Sequence, residues 1–112
     1  MMRMPVGAVL LTISSLALAQ QPPTLDEALL REAMEFLVKN PSSAKFEEVT
    51  YKRAQEPDEW IMCGRVSAKD RYGSYTGFER FVAGIIMDDA GPHYLVHHVG
   101  GVSDQLCELE GL

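Results

Sequence analysis

The sequence predicts an α+β fold: an N-terminal helix packed on a four-stranded antiparallel meander sheet, a short C-terminal helix and one disulfide. Three observations carry this. Apolar residues recur at helical spacing in "LDEALLREAMEFLVK". Four later segments read as strands and are joined by short connections, which favours antiparallel neighbours over crossovers. The two cysteines, Cys63 and Cys107, fall on the second strand segment and on the last helical one.

The first 19 residues read as a secretory signal. Arg3 is their one charge, and Ala8 to Leu18 form an apolar run too short for a membrane-spanning helix of about 20 residues. Ala17-Leu18-Ala19 is the small-x-small pattern that signal peptidase accepts. Cleavage there leaves a single domain, residues 20–112, beginning at Gln20. Its expected location is periplasmic or secreted. No cysteine follows the cleavage point, so no membrane anchor is expected after signal removal.

Pro22-Pro23 leads into Thr24-Leu25-Asp26-Glu27, a capping box with Thr24 as the cap. A helix is predicted from Leu25 to Lys39. Its core stripe is Leu29, Ala33, Phe36 and Leu37, widened by Leu30 and Met34, and Asn40-Pro41 stops it. Pro41 opens a turn with one short helical turn in it. From Phe46 to Ala54, Val49, Tyr51 and Arg53 share one side of a strand, with Glu48, Thr50 and Lys52 on the other. Trp60 to Ala68 is the second strand, with Trp60, Met62, Gly64, Val66 and Ala68 on one face. Phe78 to Met87 is a central strand, buried more on the face of Phe81, Ala83, Ile85 and Met87. "DDAGP" is a turn. Tyr94 to Val99 is the last strand, and Ser103 caps the helix "SDQLCELE".

An exported chain with two cysteines is expected to pair them. The Cys63–Cys107 loop spans 44 positions, which the chain-entropy account values at about 4 kcal/mol. The predicted domain carries nine Lys and Arg against sixteen Asp and Glu, a net charge of −7. That balance argues against nucleic acid as a partner, because phosphate contacts need clustered cations.

"NPSSAKFEEV" followed by "CGRVSAKDRYGSYTGFERFV" resembles an uncharacterised module of small exported and phage-associated bacterial proteins. The resemblance covers Pro41 to Val82. It implies an exported domain and supplies no activity.

The segment Lys69 to Phe78 is the candidate site. Lys69, Arg71, Tyr72 and Tyr75 are the expected binding residues, with Asp70 and Ser74 among them. Gly73 and Gly77 permit a tight loop that exposes aromatic rings beside charges, a composition favoured at protein interfaces. The competing reading folds the tyrosines inward as a lid on a small core. A second cluster, Asp88, Asp89, His93, His97 and His98, suggests a divalent-metal site. On a regular strand, however, His93 and His97 stand about 13 Å apart, and His97 and His98 face opposite sides. No spacing matches a zinc pattern, and no serine lies in a nucleophile-elbow context. The expectation is therefore a non-catalytic binding, accessory or inhibitor-like domain of the bacterial envelope. Its partner is another envelope or extracellular protein, and no cofactor is needed. The alternative is a small metal-binding or hydrolytic periplasmic protein using His93, His97, Asp88 and Asp89.

Overall fold

A computed structural model describes residues 21–112, so the expected signal peptide lies outside the described residues. Strands β1 (Lys45–Arg53), β2 (Glu59–Ser67), β3 (Glu79–Asp88) and β4 (Gly91–Val99) form one antiparallel sheet in sequence order. Helix α1 (Glu27–Ala33), a 3-10 turn (Pro41–Ser43) and helix α2 (Ser103–Leu109) complete it. The α+β class and the meander are thus as the alternation predicts.

The main core lies on one face of the sheet. Phe46, Tyr51, Trp60, Met62, Val66, Phe81, Ala83 and Ile85 meet Leu30 and Met34 of the helical segment there. The buried face of β3 is the one anticipated: Phe81, Ala83 and Ile85 are fully enclosed. Removing a side chain as completely buried as Leu30 costs about 2–5 kcal/mol.

The helix departs from expectation in length, cap and face. It spans Glu27–Ala33, and Asp26, not Thr24, is the cap, its carboxylate accepting from the Leu29 amide at 3.2 Å. Beyond Met34 the chain closes into tight turns, with the amides of Leu37 and Val38 both donating to the Met34 carbonyl. Leu30 and Met34 point inward, whereas Leu29 and Leu37 are partly exposed and Phe36 is 92% exposed. The apolar arc in the sequence is wider than the face the sheet covers, so spacing alone could not orient it. Two long-range bonds fix the orientation. The Asp26 amide donates to the Tyr94 hydroxyl, and Arg31 donates to the Ala44 carbonyl.

Two bulges also break the expected alternation. Between Glu47 and Thr50, β1 carries one residue more than β2, and Glu48 sits at φ +52. Phe46 and Tyr51 consequently share the core face although their spacing is odd. In β4, Val82 pairs with His98 and Ala83 with Val96, which leaves His97 as the extra residue.

The opposite face holds a smaller cluster of Cys63, Val82 and Cys107, with Ile61, Leu106 and Leu112 against it. The Cys63–Cys107 disulfide ties β2 to α2. Ser103 does not cap this helix. It is the first helical residue, its hydroxyl is buried without a partner, and the cap position is Val102. The Gly100-Gly101 corner, both at positive φ, aims the chain into α2 instead. At the far end the Leu112 amide donates to the Cys107 carbonyl and the Gly111 amide to Glu108, a Schellman ending. Arg80 donates to the Leu112 carbonyl at 2.9 Å and holds that ending on the sheet.

Candidate functional site

The β2–β3 connection is an ordered finger. Its legs meet at a Lys69–Tyr75 bridge, and the Thr76 amide donates to the Ala68 carbonyl. At the tip, one Asp70 carboxylate oxygen accepts from the amides of Tyr72 (2.8 Å) and Ser74 (3.1 Å). The Asp70 carbonyl accepts from Gly73, and the Asp70 amide donates to the Ser74 carbonyl. Gly73 sits at φ +83, which a residue with a Cβ adopts only under strain. Asp70 is thus a structural residue, its charge absorbed by the turn it closes.

Ser43 of the 3-10 turn fastens the finger to the body. Its hydroxyl accepts from the Lys69 amide at 2.8 Å, and its carbonyl accepts from the Tyr75 hydroxyl at 3.1 Å. The Tyr75 ring lies under two ammonium groups, Lys45 Nζ at 4.2 Å and Lys69 Nζ at 5.7 Å from its centroid. Tyr75, 40% exposed, is therefore a strut between the finger and the body. Tyr72 differs: it is 79% exposed at the tip, with the Arg71 guanidinium 5.2 Å from its ring centroid. Neither tyrosine folds into the core as a lid: Tyr75 braces the finger, and Tyr72 stands in solvent.

The charges around the finger are distinctive. Among the described residues Arg31, Lys52 and Arg65 make ion pairs with carboxylates, and Arg80 and Arg53 donate to backbone carbonyls. Lys39, Lys45, Lys69 and Arg71 make no carboxylate pair within 4.0 Å. All four lie at the finger end of the sheet or on the chain entering it. The opposite end carries the β1–β2 and β3–β4 turns, with Glu56, Asp58, Asp88 and Asp89. These four cations gather at one end of an acidic molecule, where Glu47, Glu48, Asp70 and Glu79 also lie. Sequence reasoning missed Lys45 and Lys39 as members of the site. Lys45 meets Tyr75 across thirty positions of chain, a contact that no local pattern encodes.

Beside the finger base is a cavity of about 270 Å³ between the post-helix segment and the sheet end. It is lined by Leu37, Val38, Lys39, Val66, Ala68, Lys69, Thr76 and Glu79.

The histidine cluster is arranged differently from expectation. His93 bonds the Asp88 carboxylate at 2.8 Å, and both are exposed. This bond, with the Ala90 amide donating to the other oxygen, holds the Asp88 carboxyl below its ordinary range. The β4 bulge puts His97 and His98 on the same side, where both line a groove with Leu106 and Leu109. Among the described residues no group of three or more His, Cys, Asp and Glu side chains is gathered to hold a metal ion.

No protein-family model, curated protein or solved structure matches this chain.

Proposed function

We propose that this is an exported, non-catalytic binding domain of the bacterial envelope, and that the finger end is its working surface. One observation carries the proposal: Tyr72 stands in solvent on a tip whose backbone is held by Asp70, within the set of cations that make no ion pair. A rigid, amphipathic ring loses little entropy when it is buried, which is why tyrosine and arginine dominate binding energy at interfaces. Lysines left without carboxylates, with Lys39 and Lys45 exposed and Lys69 partly so, steer an acidic partner toward this end. Export is supported by the apolar N-terminal segment and is compatible with the disulfide. The resemblance of Pro41 to Val82 to an exported bacterial module points the same way.

Native mass spectrometry of the gently purified exported fraction tests this. The expected result is a chain beginning at Gln20, two hydrogens lighter than its reduced form, with a co-purifying protein. Tyr72→Ala should release that protein and leave the melting temperature within a degree or two. Retention of the partner by Tyr72→Ala, or melting of the variant, would overturn the assignment of the tip.

A further inference from the structure

We infer that the cavity at the finger base is the second half of the binding surface and receives an apolar side chain from an acidic peptide segment. This inference rests on the binding reading above and adds the class of partner.

The floor of the cavity is apolar and already desolvated: Val66 is 2% and Ala68 5% exposed. Its outer wall is Leu37, 42% exposed, on the turn that replaces the last part of the predicted helix. Leu37, held toward water beside this concave apolar floor, leaves a place for one more apolar group.

The rim sets which residues flank that group. Lys39 and Lys69 both line the cavity, against one carboxylate, Glu79. Lys45 and Arg71 extend the positive surface along the finger. A partner residue entering here therefore has cations on either side and gains most from aspartate or glutamate neighbours. Basic flanks would be repelled. A uniformly charged polyanion would satisfy the rim but leave the apolar floor unfilled, so the pairing of floor and rim favours a peptide that alternates acidic and apolar residues.

Fluorescence anisotropy with labelled synthetic peptides tests this on the disulfide-intact protein. Four probes are used: an Asp/Glu peptide with one central leucine, the same peptide with serine in its place, a lysine-flanked leucine peptide, and inorganic polyphosphate as an unlabelled competitor. The acidic leucine peptide should bind, weaken as salt rises, and exceed the serine version by roughly tenfold or more, the loss expected for one buried leucine. The lysine-flanked peptide should not bind measurably. Leu37→Ser should erase the preference for leucine while leaving the weaker binding of the serine peptide. Lys39→Gln with Lys69→Gln should weaken both acidic peptides and flatten their salt dependence. Melting curves confirm that each variant is folded, and the salt series on the unaltered protein tests the charge claim without any variant.

Equal binding of the leucine and serine peptides would overturn the cavity assignment. Binding of the lysine-flanked peptide, or tighter binding of inorganic polyphosphate than of the leucine peptide, would overturn the partner class. Binding of none of these peptides would overturn the inference as a whole. In each case the finger reading is judged separately, by whether Tyr72→Ala still releases the co-purifying protein.

Discussion

Replacing Gly64 by alanine probes the least clearance around any described glycine. Gly64 pairs with Phe81 across β2 and β3, and the Phe81 ring occupies the space where a side chain would stand. A Cβ there would meet Phe81 Cε1 at 2.8 Å, Cζ at 2.9 Å and Val49 Cγ2 at 3.2 Å. Ordinary contact begins near 3.4 Å, so the ring must retreat by roughly half an ångström. Phe81 has little room to do so, because it is fully buried and packs edge-on against Phe46 with centroids 5.9 Å apart. Overpacking of this kind costs about 1–3 kcal/mol. Removing a strand glycine returns about 0.5–1 kcal/mol of chain entropy. The net destabilisation is about 1–2 kcal/mol, roughly 5–15 °C in Tm for a domain of this size. The assay is urea unfolding followed by the fluorescence of Trp60, the sole tryptophan and a core residue. Gly84→Ala is the control, since its Cβ would meet only the end of the His97 side chain at 3.3 Å, and it should be close to neutral. Gly64→Ala should lose most of its cost in a Phe81→Leu background. A neutral Gly64→Ala, or costs that add within about 0.5 kcal/mol in the double variant, would refute the reasoning.

Other perturbations have equally definite outcomes. Cys63→Ala with Cys107→Ala opens a loop of 44 positions and should cost about 4 kcal/mol, read as a fall in the urea midpoint. Burial, then the neighbouring Tyr94, raises the Tyr51 hydroxyl above its ordinary range. Folding therefore favours the neutral phenol, and its contribution is present below about pH 10 and lost as pH climbs through the raised value. Tyr51→Phe should flatten the alkaline fall in Tm and change little at pH 7. Asp88 has the opposite sign. Its depressed carboxyl stabilises the fold above about pH 3.9, and that support disappears as pH falls through the lowered value. The Tm gap between the unaltered protein and Asp88→Asn should accordingly close on titrating toward pH 2.

Several of these features were legible in the sequence, and the rest were hidden for identifiable reasons. The order of elements, the buried face of β3 and the disulfide follow from periodicity and cysteine count, which are local or compositional signals. The bulges leave no such mark. Glu48 adopts φ +52 without being glycine, and His97 is one residue in an otherwise regular strand, so nothing announces the extra position. The helix was oriented by Tyr94 and Ala44, partners 68 and 13 positions away from the residues they bond. The same holds for the site. Lys69, Arg71, Tyr72 and Tyr75 were visible as a cluster in sequence, but the difference between the strut and the tip depends on Ser43 and Lys45. Those two arrive from the other side of the first hairpin.

The proposal that Tyr72 touches a partner is tested most directly by photo-cross-linking. A benzoylphenylalanine is placed at position 72 and, in a separate protein, at position 58 on the acidic end of the sheet. After irradiation in intact cells, position 72 should yield one discrete heavier adduct and position 58 none. An adduct of equal yield at both positions, or none at position 72, would contradict the account.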